Sequence, residues 1–157
     1  MYRLLRAALF LLPAEASHDL ALKAMSFVER LGLTGLIAAR TRGLARETTV
    51  MGIRFPHRVG LAAGLDKNAD HADALQGLGF AWLELGTLTP RPQPGNPKPR
   101  MFRLAQQHAI INRLGFNNKG IDYALAKLST RRRKGIVGIN IGKNADTPLE
   151  EANEDYL

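Results

Sequence analysis

Three short apolar runs in this chain each give way to a glycine-bearing polar loop, and that repeated order constrains the fold more than any other feature. Residues 59–63 lead into Gly64-Leu65-Asp66-Lys67 and a helical stretch with Ala72, Leu75 and Leu78. Residues 82–85 lead into Gly86-Thr87, and residues 136–141 lead into Gly142-Lys143-Asn144 and a helix opening at Pro148. Such alternation implies parallel strands joined by crossover helices. Ligands of α/β folds gather at the C-terminal ends of the strands, where all three loops fall. In the first unit, residues 59–63 predict a strand hidden on both faces, Gly64 lets backbone approach a flat ligand because it lacks a Cβ, and Lys67 offers a cation where the strand stops.

Between the second and third units the pattern is interrupted. Pro90-Arg91-Pro92-Gln93-Pro94-Gly95-Asn96-Pro97-Lys98-Pro99 is too rich in proline for a helix or a central strand. It predicts a stiff extended loop that serves as a rigid wall of the site rather than as a docking segment for a partner domain. Residues 101–104 and 109–112 predict a hairpin that delivers Asn112-Arg113-Leu114-Gly115-Phe116-Asn117-Asn118. Asparagine amides donate and accept at once, so Asn112, Asn117 and Asn118 around a glycine and an aromatic suit a flat, hydrogen-bonding heterocycle. Helix N-capping is the competing assignment for Asn117 or Asn118, just ahead of Gly120. A smaller hairpin is predicted over 48–51 and 53–55, hinged at Gly52.

The N-terminal part has a different texture. Leu5, Ala8, Leu9 and Leu12 recur at helical spacing with Arg3 and Arg6 between them, until Pro13 stops the segment. A second stripe runs through Leu20, Ala24, Phe27, Val28 and Leu31 to Gly32, and a shorter piece holds Leu36 and Ile37. Neither stripe approaches the roughly twenty apolar residues of a membrane span. Basic amphipathic helices of this kind suit a membrane surface, or equally a cap packed on the core. The start also imitates a signal peptide, but its apolar run at 7–12 falls short of the usual ~7 to 15 residues and Pro13 ends it, so cleavage is not expected.

With 45% apolar and 23% charged residues over 157 positions, the chain has the makings of a globular domain with a core. The absence of cysteine excludes disulfides, thiolate catalysis and cysteine-ligated metals; His18, His57, His71 and His108 show no paired ligand spacing, so no metal site is expected. A net charge of +8 favours an anionic partner. The densest basic cluster, Arg131-Arg132-Arg133-Lys134, follows the helical pattern of Ile121, Ala124, Leu125 and Leu128, and is expected as a solvated last turn that complements the helix dipole. No aromatic residues interleave with it to stack bases, so nucleic acid is not expected as a partner.

Four stretches together carry a resemblance to a known family. Gly60-Leu61-Ala62-Ala63-Gly64-Leu65-Asp66-Lys67, Glu84-Leu85-Gly86-Thr87-Leu88-Thr89-Pro90-Arg91-Pro92-Gln93-Pro94-Gly95-Asn96, Asn112-Arg113-Leu114-Gly115-Phe116-Asn117-Asn118 and Gly138-Ile139-Asn140-Ile141-Gly142-Lys143-Asn144 resemble dihydroorotate dehydrogenase. The N-terminal module with Pro13-Ala14-Glu15-Ala16-Ser17-His18 resembles the membrane-associated, quinone-using class 2 branch. The resemblance implies an α/β fold, a TIM-type (β/α)8 barrel that binds FMN. A small helical module at residues 1–45 would meet the membrane and form the quinone tunnel. Residues 46–157 would be the first part of the barrel, incomplete in this chain because a whole barrel takes ~200 residues or more.

The implied activity is oxidation of dihydroorotate to orotate through FMN, with ubiquinone or menaquinone as acceptor, in pyrimidine biosynthesis. The implied location is the cytoplasmic face of a bacterial inner membrane, as a peripheral protein; no transit peptide points to the mitochondrial inner membrane. By position, Ala63, Gly64, Leu65, Asp66 and Lys67 would line the flavin together with Thr87 and Asn140. Lys67, Asn112, Arg113, Leu114, Gly115 and Phe116 would hold the substrate, and His18 and Arg103 would stand at the quinone end. The serine that serves the family as general base is expected beyond Leu157, so the resemblance implies an N-terminal portion that is inactive alone. The other reading open to these residues is a standalone basic module that binds membrane or nucleic acid.

Overall fold

The computed structural model describes residues 2–38 and 46–157, and the module boundary expected at residue 45 lies outside them. Helices α1 (Tyr2–Phe10), α2 (Ala14–Arg30) and α3 (Thr34–Ile37) open the chain. Pro13 stands directly before α2 at φ −51°, where its missing N–H interrupts no helical bond. Strands β1 (Thr48–Val50) and β2 (Ile53–Phe55) form the small antiparallel hairpin. Its two turn residues, Met51 and Gly52, both have positive φ (50° and 77°), as a tight turn matched to strand twist requires.

The alternating part follows. It comprises α4 (Ala72–Gly77), β3 (Trp82–Leu88), the hairpin β4 (Met101–Leu104) and β5 (Ala109–Asn112), α5 (Ile121–Ser129), β6 (Ile136–Ile141) and a 3-10 helix at Leu149–Asp155. Strands β3 and β6 pair in parallel from Trp82↔Ile136 to Gly86↔Asn140, after which the register shifts so that Leu88 faces Ile141. On the other edge of β3, residues 59–66 run alongside. They do not form the regular strand expected at 59–63: one bridge, Leu61↔Leu83, is supplemented by Gly64 N–H to Gly86 O (2.8 Å) and Gly86 N–H to Asp66 O (3.0 Å). Nor is the segment hidden on both faces, since Val59 and Ala62 are exposed. The reason is local. Gly60 lies so flat against the Trp82 indole that a Cβ would fall 2.0 Å from the ring, and Gly64 turns at φ 104°, which ends the extended path.

The core gathers around β3. Leu83 and Leu85 are fully buried and pack with Ala72 and Leu75 of α4, Ala124 of α5 and Leu22 of α2. Each such leucine contributes about 1.5–3 kcal/mol by leaving water. Helix α2 docks through Leu22 with Met25 beside it, and not through the stripe that its apolar periodicity singles out. Leu20, Phe27 and Leu31 point outward, Phe27 at 62% exposure, while Ser17 and Glu29 are buried on the inward side.

The basic cluster departs from expectation as well. Helix α5 ends at Ser129, so Arg131 to Arg133 follow it rather than form its last turn. The Asp73 carboxylate accepts the Arg132 and Arg133 backbone N–H groups at 3.0 and 2.9 Å. Glu29 pairs with the Arg132 and Arg133 guanidinium groups, and Arg133 also donates to Thr34 Oγ1 at 2.9 Å. Acidic side chains distant in sequence capture these cations, which makes the cluster a clamp between α2, α4 and the end of α5.

Candidate active site at the strand ends

A cavity of about 840 Å³ opens where β3 and its neighbours end. Its floor is the first loop and the strand ends, with Ala63, Gly64, Leu65, Lys67, Thr87 and Asn140. One wall is the β4–β5 hairpin and the segment after it, with Arg103, Asn112, Leu114, Gly115 and Phe116; α2 closes the far side with His18. Residues that sequence reasoning assigned to three different ligands thus share one space. Met101, Ile110, Leu9, Phe10 and Ala14 line it too and were not anticipated. Strand alternation could have found the first two: the pairs Met101↔Asn112 and Arg103↔Ile110 put all four side chains on one face of the hairpin. No comparable signal marks the helical residues, because their facing depends on how α1 and α2 dock.

The polar groups of the cavity are held in place. Thr87, at the register shift of β3, donates to Asn140 Oδ1 at 2.6 Å, and Asn140 Nδ2 donates to Glu84 Oε1 at 3.1 Å. Lys67 Nζ donates to Gly64 O at 2.7 Å. Burial pushes the Lys67 ammonium below its usual pKa of 10.5, against the pull of the Asp19 and Glu15 carboxylates. His18 is held below 6.5, first by burial and then by the nearby Lys67 charge. Arg103 donates to Leu12 O and Ser17 Oγ, both at 2.7 Å, and its guanidinium lies 4.5 Å from the centre of the Phe10 ring. Among the described residues the cavity is lined by Lys67 and Arg103 and by no carboxylate. Such a cleft favours a ligand that carries or develops negative charge. A Cβ at Gly64 would meet no atom within 4 Å, so the glycine is required there for its backbone angle and leaves open space towards the ligand.

Two of the anticipated residues lie off the cavity. Asp66 is 2% exposed, and its carboxylate accepts backbone N–H groups from Asn68 (3.2 Å), Asp70 (3.1 Å) and His71 (2.8 Å), turned into the loop it organises. Arg113 directs its guanidinium to Pro99 O at 3.3 Å. The proline-rich loop also differs from expectation, since none of residues 90–99 lines the cavity. It is a buttress behind the wall: Gln93 exchanges both backbone bonds with Asn118 at 3.0 Å, and its side chain donates to Gly115 O and Phe116 O at 3.2 Å. Asn118 does not cap α5, which starts from Gly120 without a side-chain cap. Its amide bridges Thr89 Oγ1 and the Gly120 N–H, both at 2.8 Å, so it ties the end of β3 to this segment. Asn117 faces a separate cavity of about 270 Å³, which shares His18 and Lys67 with the larger one.

Parallel strands joined by crossover helices, with a cation-lined cleft at the strand ends, define a unit of the α/β class. Residues 45–157 match the family model described as dihydroorotate dehydrogenase, and the chain belongs to that family. It is 56% identical over its whole length to a dihydroorotate dehydrogenase (quinone) of Cellvibrio japonicus and 55% identical to one of Azotobacter vinelandii, covering 45% of each. It therefore spans less than half the length of these curated relatives. Among solved structures, dihydroorotate dehydrogenase of Eimeria tenella in complex with ferulenol superposes with a TM-score of 0.74 at 39% identity, over 90% of this chain and 38% of that one. The ligand-free form of the same enzyme gives 0.73 at 40% identity.

Proposed function

We propose that this chain supplies the flavin- and substrate-facing walls of a quinone-dependent dihydroorotate dehydrogenase, as the first part of an FMN-binding (β/α)8 barrel behind a helical module. The observation that carries this reading is the single cavity that joins Lys67, Thr87 and Asn140 at the strand ends to Asn112, Phe116 and Arg103 on the hairpin wall and to His18 of α2 on the far side. The relatives named as quinone-dependent enzymes support it.

The residues fit FMN. The glycine turn at 64 leaves open space for a flat ring, Thr87 and Asn140 would offer it polar atoms, and among the described residues the lining carries cations without carboxylates. Held there, FMN would supply the hydride-accepting chemistry for dihydroorotate and the electron transfer to ubiquinone or menaquinone. The chain's own part is electrostatic and positional. Lys67, fixed by its bond to Gly64 O, holds positive charge where negative charge develops and serves the substrate carboxylate as well. Asn112 offers an amide to the pyrimidine and Phe116 shields it from water. His18 and Arg103 receive the quinone head between α1, α2 and the hairpin.

The outward leucines and Phe27 of the first helices, set among arginines, suit attachment to a membrane surface. No helix among the described residues is long and apolar enough to cross one. The alternative of a standalone nucleic-acid module loses its main support, because Arg131 to Arg133 are engaged by Asp73 and Glu29.

The test separates the half-reactions in the whole protein. Lys67→Ala is expected to slow flavin reduction by dihydroorotate by about a hundredfold or more, in line with loss of one group that stabilises developing charge. Removing residues 1–42 is expected to depress turnover with a long-chain quinone far more than flavin reduction. Unchanged reduction kinetics in Lys67→Ala would refute its role, and equal effects on both half-reactions would refute the tunnel.

A further inference from the structure

Arg100 touches neither cavity wall as a ligand contact would, yet its bonds reach both ends of the site. It is 6% exposed. Its Nε and Nη2 grip the Glu15 carboxylate at 2.7–3.3 Å, one helical turn before His18 on α2. Its Nη1 donates to Pro94 O at 2.6 Å and Asn96 O at 3.0 Å, and its own carbonyl accepts the Arg113 N–H at 2.9 Å. Asn96 in turn donates from its backbone to Leu114 O (3.0 Å) and from its side chain to Arg113 O (2.7 Å). The two loops interlock without slack: a Cβ on Gly95 would stand 2.2 Å from Leu114 O, and one on Gly115 would stand 2.8 Å from Asn96 N. The first turn of α2 is thus joined through a buried, charge-assisted fork to the main chain of residues 113–115.

We propose that Arg100, through Glu15, is a positioning residue that couples the quinone end of the cavity to the substrate segment, so that a ligand at one end changes affinity at the other. The proposal rests on the functional reading above. A quinone head seated against His18 and Arg103 biases the position of α2, and the Glu15–Arg100–Asn96 relay passes that bias to the backbone beneath Asn112 to Phe116. Coupling of this kind is reciprocal, so a substrate-side ligand must tighten or loosen the quinone side by the same factor.

The experiment titrates orotate into the FMN-loaded whole protein by calorimetry, with and without saturating decylubiquinone; oxidised flavin, oxidised quinone and orotate cannot turn over together. In the parent protein the orotate Kd is expected to differ by at least about fivefold between the two conditions, the low end of ordinary coupling. Glu15→Gln and Arg100→Gln are each expected to bring that ratio below about twofold. Arg100→Lys, which keeps the charge but not the fork, should fail to restore it. An equal orotate Kd in both conditions in the parent protein would overturn the proposal, whatever becomes of the variants. Full coupling in Glu15→Gln would overturn it too. If the parent binds neither orotate nor decylubiquinone, the functional reading falls and the proposal with it, which is a different result from binding without coupling.

Discussion

Replacing Asp66 with alanine removes one carboxylate and leaves three backbone N–H groups, those of Asn68, Asp70 and His71, without their acceptor in a site where Asp66 itself is 2% exposed. The His71 bond, at 2.8 Å, has the length of a strong charge-assisted bond; the other two, at 3.1 and 3.2 Å, are weaker. A hydrogen bond to a charged group is worth about 1.5–3 kcal/mol, and neutral-strength bonds about 0.5–1.5 kcal/mol. Counting the first near the middle of its range, about 2 kcal/mol, and the others at about 0.5 kcal/mol each, local opening of residues 66–71 should become easier by about 3 kcal/mol, roughly a hundredfold in the opening equilibrium. Amide hydrogen exchange reads this directly, as a loss of protection of that size at His71 and a smaller loss at Asn68 and Asp70. Because Lys67 lies within the loosened loop, substrate-driven flavin reduction should fall in the same variant although Asp66 does not line the cavity. Protection at His71 within about threefold of the parent would refute the view that this carboxylate organises the loop.

Three further outcomes follow from the same structure. His18 is held below pKa 6.5 when folded, so once the pH drops under 6.5 the unfolded chain binds more protons there and stability declines until the lower folded value is passed. His18→Gln should accordingly lose less thermal stability than the parent between about pH 7.5 and about pH 5.5, and equal losses would refute the assignment. Gly95→Ala combines a φ of +72° with a backbone oxygen 2.2 Å from the new Cβ, and should cost more than about 2 kcal/mol in urea unfolding. Glu29→Gln leaves Arg132 and Arg133 without their carboxylate; since the Arg132 side chain is well exposed and that of Arg133 only partly buried, a loss of only about 1–2 kcal/mol is expected, with faster proteolytic release of α2.

How much of this was legible in the sequence depended on the distance over which the deciding interaction acts. Hairpins are local objects, and the alternation and turn residues at 101–104 and 109–112 set their bounds. The order of the parallel unit was equally readable, because apolar runs followed by glycine loops dictate β3, β6 and the crossovers between them. Helix α2 was readable as a helix but not as to its facing. Apolar periodicity marks Leu20, Phe27 and Leu31, whereas the inward side includes Ser17 and Glu29, whose partners Arg103 and Arg132 lie 86 and 103 residues away. Asp66 shows the same limit. An aspartate before a lysine at a strand end has the look of a ligand contact, and only the folded loop reveals three main-chain donors converging on it. The proline-rich loop forms neither helix nor strand, as its prolines dictate, but its place behind the wall rather than in it follows from Gln93 and Asn96 reaching across to residues 113–118.

The segment that faces the cavity is fastened by its main chain. The carbonyls of Arg113, Leu114, Gly115 and Phe116 receive the bonds from Asn96 and Gln93, and these bonds do not involve the side chains of Asn112, Leu114 and Phe116. Shape and chemistry are thereby assigned to different atoms. Those three side chains can be exchanged one at a time with the supporting frame undisturbed, which makes this stretch a natural place to retune ligand preference by substitution. A change in Gln93 would instead free the Gly115 and Phe116 carbonyls, and one in Asn96 the Arg113 carbonyl, although neither side chain lines the cavity.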